Sequence, residues 1–225
     1  MIHYHGTPLT PRTELLKMAG KCFCVSFANP NDLKTCLSIG QSVMLDNGAF
    51  SSFTRGVPFD EEGFIEWCEP ILGHPHWAVV PDVIDGSVER QKESVSRWSY
   101  PRELSAPVWH LGLSFDYLRE LADNWPRICF GSTAEYWKIG SESWCRRMDA
   151  AFNVLSHRQF MPWVHGLRML NLAGSEYPLA SADSVNVARN FKDTNSCPVK
   201  MSDAIDSRNN PIKWKPRDGQ CDLFA

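Results

Sequence analysis

The chain has 225 residues, 43% of them hydrophobic and 22% charged, with a formal net charge of −3. That balance supports one packed domain, or one domain with a small appendage, and excludes a protein that coats nucleic acid indiscriminately while leaving room for a local basic patch. No stretch approaches the roughly 18 consecutive apolar residues of a transmembrane helix. The N-terminal MIHYHGTPLTP has neither the basic nor the apolar region of a signal peptide, so a cytoplasmic protein with no membrane association is expected.

In chain order, the first predicted strand, residues 2–5, carries His3 and His5. The second, 22–27, carries Cys22-x-Cys24, which strand alternation puts on one face. No second Cys/His cluster lies near them to complete a tetrahedral zinc site, and with no export signal the eight cysteines read as reduced, mostly buried thiols. The third strand, 42–46, ends on Asp46-Asn47. Asp60 then stands where it can cap a helix whose Phe64, Trp67, Cys68 and Ile71 follow i, i+3, i+4, i+7. Strand 77–82 ends on Asp82, Asp85 before Gly86 reads as a turn residue, and Val88, Val95 and Trp98 mark the next helix. Strand 107–112 carries His110 and Gly112, and Ser114 caps a helix marked by Phe115, Leu118 and Leu121. Strand 127–132 ends on Gly131-Ser132 and leads to the strongest helical stripe, Trp144, Met148, Ala151, Phe152 and Leu155. Strand 163–168 carries His165-Gly166 and must be followed by an abbreviated helix, because strand 181–185, with Asp183, comes so soon after it. Eight strands, most of them near-continuous apolar runs, alternating with helices predict an α/β protein, a compact (β/α)8 TIM barrel over residues 1–195 with a C-terminal extension over 196–225. An open α/β sheet is the alternative.

In such a barrel the chemistry belongs at the C-terminal strand ends. Asp46, Asp82 and Asp183 all fall there, with His110, His165 and several glycines. A carboxylate ending a buried apolar run is costly unless it is paired or functional. One carboxylate can attack an anomeric carbon while a second moves the proton, which is the pairing open to Asp183 and Asp46.

The motifs around these residues resemble those of the tRNA-guanine transglycosylase superfamily. Met44-Leu45-Asp46-Asn47-Gly48-Ala49-Phe50-Ser51 is similar to the family's Asp-(Ser)-Gly-Ala/Gly-Phe segment, with Asn47 where serine is usual. Ala182-Asp183-Ser184-Val185-Asn186-Val187-Ala188-Arg189-Asn190 resembles its nucleophile segment. Pro81-Asp82-Val83-Ile84 falls where the family carries the aspartate that reads the guanine edge, and Phe130-Gly131-Ser132 and Trp163-Val164-His165-Gly166-Leu167 fall where glycines line the base pocket. The correspondences run in order over roughly residues 40–190. The resemblance implies Asp183 as nucleophile, Asp46 as general acid/base, and Asn47, Phe50, Asp82, Gly131, Ser132, His165 and Gly166 around the base. It implies no cofactor.

The chain departs from the tRNA enzymes in lacking their zinc module, since only Cys197 and Cys221 follow Asp183. The compact, zinc-free pattern looks more like the phage and bacterial DNA-guanine transglycosylases, which insert 7-deazaguanines into DNA. The implied partners are therefore DNA, with a flipped or single-stranded guanine, and a free 7-deazaguanine base; a phage enzyme would work in the host cytoplasm. Residues 189–217 hold seven Lys/Arg against three Asp. Arg189, Lys213 and Lys215 in that stretch, with Arg146 and Arg147, are the candidate phosphate contacts. Gln220-Cys221-Asp222-Leu223-Phe224 resembles the bacterial sliding-clamp-binding pentapeptide, which puts Gln220, Asp222, Leu223 and Phe224 on a possible clamp contact. Three alternatives stay open: a tRNA-directed enzyme of the same chemistry, a metal-dependent barrel hydrolase using His3, His5, Asp46, His165 and Asp183, and a non-catalytic DNA-binding module.

Overall fold

The computed structural model describes residues 1–193 and 197–217. Nine strands pair in one all-parallel sheet: β1 (Ile2–Gly6), β2 (Cys22–Ser26), β3 (Ser42–Asp46), β4 (Trp77–Val79), β5 (Ser105–Ala106), β6 (Val108–His110), β7 (Arg127–Gly131), β8 (Trp163–Gly166) and β9 (Ser181–Ser184). Their order is β5-β4-β3-β2-β1-β9-β8-β7-β6. The two ends of this row are one extended run interrupted at Pro107. Ala106 O accepts from Val80 N at 3.0 Å on one side, and Pro107 O accepts from Cys129 N at 2.8 Å on the other. A proline has no N–H to continue the first ladder, so the chain changes partner there and the sheet closes into a nearly complete barrel. The expected strand 107–112 is thus the second half of a strand that begins two residues earlier.

Helices α1 (Arg12–Leu16), α2 (Leu33–Ile39), α3 (Ala49–Arg55), α4 (Glu61–Cys68), α5 (Val88–Arg97), α6 (Phe115–Asn124), α7 (Glu142–Ser156), α8 (Asn186–Asn190) and α9 (Pro198–Asp206) surround the sheet. The expected caps form: Asp60 accepts from Gly63 N at 2.9 Å and Ser114 from Tyr117 N at 3.3 Å. After β8 the helix shrinks to one 3-10 turn, Leu170–Leu172, which is how so short a chain completes the alternation.

Strand alternation separates two cores. Tyr4, Cys24, Met44, Trp77, Val79, Ala106, Val108 and Cys129 fill the barrel interior, with Cys22 beside them. A larger core between sheet and helices includes Phe64, Trp109, Phe130, Trp144 and Phe152. The seven cysteines among the described residues are free thiols, and burial pushes Cys22 up to about 11 and Cys36 up to about 12. No helix among the described residues is long and apolar enough to cross a membrane, and they contain no cluster of three or more candidate metal ligands.

Within the C-terminal extension, residues 197–217 pack against the barrel. Trp214 joins the outer core, parallel to the Tyr177 ring at 5.9 Å, and its indole donates to Asn153 Oδ1 at 2.6 Å. Asp206 at the end of α9 meets His3 Nδ1 at 2.9 Å, His5 Nε2 at 3.2 Å and Lys21 Nζ at 2.6 Å. Because Tyr4 points into the barrel, His3 and His5 point outward to this carboxylate. The metal-dependent hydrolase therefore loses two of its five ligands.

Burial pushes the Asp206 carboxyl up, but the hydrogen bonds from His3, His5 and Lys21 outweigh it and hold it well below the usual carboxylate range. The folded pKa is depressed, so this stabilisation is present above the unfolded value of about 4 and is lost as pH falls below it. Asp206→Asn is expected to destabilise the protein by about 2–3 kcal/mol at pH 7, with the deficit shrinking in acid. Urea unfolding at pH 7 and at about pH 2 measures both.

Candidate active site

A cavity of roughly 800 Å³ opens at the C-terminal ends of the strands. Asp46, Asp82 and Asp183 all line it, delivered by β3, the segment after β4, and β9. The expected strands 77–82 and 163–168 end early, at Val79 and Gly166; the freed residues carry Asp82 and Arg168 to the cavity wall.

Asp183 is 7% exposed and asymmetrically held. His165 Nε2 lies 3.2 Å from Oδ1, and the Arg168 backbone N–H donates to the same atom at 2.7 Å. Oδ2 has no hydrogen-bond donor among the described residues. One oxygen is anchored and the other remains available.

Asp46 lines the same cavity. Burial raises its carboxyl; a hydrogen bond from Ser26 opposes this, the Asp183 and Asp82 charges add to the rise, and the Arg168 charge opposes it. The net result is a carboxyl pushed up to about 6. Such a group exchanges its proton near neutrality, as a general acid/base requires.

Asp82 is held by two donors. Asn47 Nδ2 reaches Oδ1 at 2.8 Å and also Val80 O at 2.9 Å, while His110 Nε2 meets Oδ2 at 2.7 Å. Asn47 in turn accepts from Ala49 N at 2.8 Å, so the start of α3 and the Asp82 carboxylate share one side-chain amide. Gly48, with φ of +78°, makes the turn that swings α3 over the cavity; a Cβ there would sit 3.0 Å from Ala28 N. Gly131 accommodates the His110 ring, since an added Cβ would come within 2.8 Å of Nδ1. Its bareness thus serves His110 as well as any ligand.

Arg168 has a left-handed backbone, φ +59°, uncommon for a residue with a side chain. That conformation aims its N–H at Asp183 and lays its guanidinium 3.7 Å above the Phe50 ring. Burial draws the guanidinium pKa down, while Asp183, Asp46 and Asp82 draw it up. Arg168 is thus a cation set among three carboxylates. Held strain of this kind concentrates at functional sites.

Of the expected base-contacting residues, Asn47, Phe50, Asp82 and Gly131 line the cavity, as does Arg189 at its rim. Three others are not on the cavity lining. Ser132 turns away, its Oγ accepting from Trp144 Nε1 at 2.9 Å. Gly166 faces the outer packing, where a Cβ would meet Met169 Cβ at 2.8 Å. His165 is fully buried behind Asp183, outside the cavity wall. The other phosphate candidates lie off the cavity lining. Arg146 pairs with Glu142 at 2.9 Å on α7, away from the cavity. Arg147 lies 3.9 Å over the Phe115 ring and donates to Leu111 O at 2.6 Å and to Leu113 O, so its donors tie a loop together. Lys213 and Lys215 are exposed on either side of the buried Trp214, and neither lines the cavity. Gln220, Asp222, Leu223 and Phe224 lie outside the described residues.

Sequence reasoning placed His110 on the rim without a role and missed Arg168, Ser26 and Arg55. Arg168 had one available signal, a cation at the end of a predicted strand whose neighbours end in carboxylates. The fold and site define a parallel α/β barrel with a cavity lined by three carboxylates, with Arg168 set among them and Arg55 and Arg189 also on its lining. No family model, curated protein or solved structure matches the chain.

Because the folded-state pKa of Asp46 is raised, its ionisation weakens the fold as pH climbs from about 4 to about 6. Asp46→Asn should therefore stabilise the protein by about 1–3 kcal/mol at pH 7.5 and give little gain at pH 4. Thermal melts of the two proteins at both pH values check this.

Proposed function

We propose that this protein is a DNA-guanine transglycosylase that exchanges guanine in DNA for a 7-deazaguanine by double displacement through a covalent Asp183 intermediate. The observation that carries the reading is the pairing of an anchored carboxylate with an open oxygen, Asp183, and a carboxyl of pKa about 6, Asp46, in one cavity. Nucleophilic exchange at a sugar carbon needs these two groups, and the motif resemblance assigns them the same roles.

In the first step Asp183 Oδ2 bonds to C1′ of the target nucleotide. The C1′–N9 bond breaks, its electron pair leaves with the guanine, and Asp46 supplies the proton. In the second step the incoming base gives its proton to the Asp46 carboxylate and bonds to C1′, returning the electron pair of the ester bond to Asp183. Atoms and charge balance with no oxidant or reductant. Asp82, with a lone pair left on each oxygen after its bonds to Asn47 and His110, accepts from the ring N–H and exocyclic amine that both bases share. Phe50 and the Arg168 guanidinium offer flat surfaces to a planar base, and Arg189 at the rim suits the phosphates. The choice of DNA rests on the zinc-free sequence pattern. C1′ must be approached in line, so the target nucleotide must be unpaired or flipped.

The test is release of labelled guanine from DNA and from tRNA when a 7-deazaguanine is supplied. Release from DNA is expected, reduced at least about 1,000-fold in Asp183→Ala and Asp46→Asn. Since one step uses the acid form of Asp46 and the next its base form, exchange should peak near pH 6. Release from tRNA alone would overturn the choice of substrate. DNA binding without release from either would leave a non-catalytic module.

A further inference from the structure

A line of hydrogen bonds runs up the barrel interior beneath Asp183. It begins at Trp163 in the first position of β8, whose indole N–H donates to Ser181 Oγ at 2.9 Å. Ser181 Oγ lies 2.7 Å from His165 Nδ1, and His165 Nε2 lies 3.2 Å from Asp183 Oδ1. The register His165↔Ser181 between β8 and β9 makes this possible, because i and i+2 side chains of both strands point the same way. Ser181 and His165 have no solvent exposure at all. The rings of Tyr4 and Trp77 stand edge-on to the imidazole, with centroids 5.9 and 5.2 Å away.

Proton counting gives the line a direction. An indole nitrogen only donates, so Ser181 Oγ accepts from Trp163 and has its own proton to give. Its strong neighbour is His165 Nδ1. If Nδ1 takes that proton as an acceptor, the imidazole carries its hydrogen on Nε2, aimed at Asp183. The opposite tautomer would set an Nε2 lone pair against a carboxylate oxygen. Burial also pulls the His165 imidazole down despite the Asp183 charge, which favours the neutral ring.

We propose that His165 is a positioning residue for Asp183, held as the neutral Nε2–H tautomer by the Trp163–Ser181 pair. The inference rests on the transglycosylase reading for its kinetic consequence, but the tautomer stands independently of it. His165 and the Arg168 N–H together keep Oδ1 turned inward, so that Oδ2 meets the sugar carbon. When Oδ2 forms the ester, Oδ1 becomes its carbonyl oxygen. When the incoming base displaces the ester, the same two N–H groups receive the charge that returns to the carboxylate.

The experiment joins imidazole ¹⁵N NMR of the full chain with guanine-exchange kinetics. His165 should read as Nε2–H at neutral pH, and Ser181→Ala should shift that signature. His165→Phe should lower kcat about 100-fold with KM little changed, while His165→Gln, which restores an N–H donor, should recover most of the loss. If His165→Phe fails to fold, Ser181→Ala, which keeps the ring in place, carries the kinetic test. An Nδ1–H or doubly protonated ring at neutral pH would overturn the proposal, and so would a lowered Tm with unchanged kcat in the folded variant. Absence of exchange in the unaltered protein with the Nε2–H signature intact would instead sink the transglycosylase reading.

Discussion

Three carboxylates sharing one enclosed mouth repel one another, and the rest of the site is arranged around that repulsion. Each has a different solution. Asp183 gives one oxygen to two N–H donors and keeps the other free. Asp82 has both oxygens engaged, by a side-chain amide and an imidazole. Asp46 is the least supported, with a serine hydroxyl for a partner; burial above all, with the two neighbouring charges adding to it, pushes its carboxyl up to about 6. Arg168 lies among them, within reach of all three charges. Unequal environments make chemically unequal groups out of identical side chains.

That inequality depends on the barrel beneath it. Parallel strands in register put side chains of neighbouring strands at one level, so the fully buried His165 and Ser181 can stand directly under Asp183. The closure at Pro107 gives the interior its complete wall and brings β6, with His110, beside β7. His110 then reaches Asp82 only because Gly131 on β7 leaves room for its ring. The rigid interior positions the polar mouth, in line with the usual division of labour in this fold.

The outer layer does different work. Asp206 ties α9 to β1 through two histidines that sequence alone could have offered to a metal. Trp214 and Arg217 strap the C-terminal segment along α7, where Arg217 pairs with Asp149 at 2.9 Å. These contacts spend the polar and aromatic residues of the last described segment on packing. Among the arginines, Arg55 and Arg189 stand on the cavity lining together with Arg168.

Much of this was legible in the sequence because it is local. Short apolar runs ending in Asp46 and Asp82, the short strand around Asp183, helices opened by Asp60 and Ser114, and the alternation between them depend on neighbours a few positions apart. From these the barrel and the three acidic strand ends follow. The sequence could not decide which way a polar side chain at a strand end would turn. Ser132 and His165 stand at equivalent-looking ends, yet one bonds Trp144 on an outer helix and the other Asp183 from inside the barrel. Nor could it show that Arg168 adopts a left-handed backbone, or that His3 and His5 face Asp206 some two hundred residues away. Such outcomes rest on register and on contacts between distant segments, which exist only once the barrel has closed.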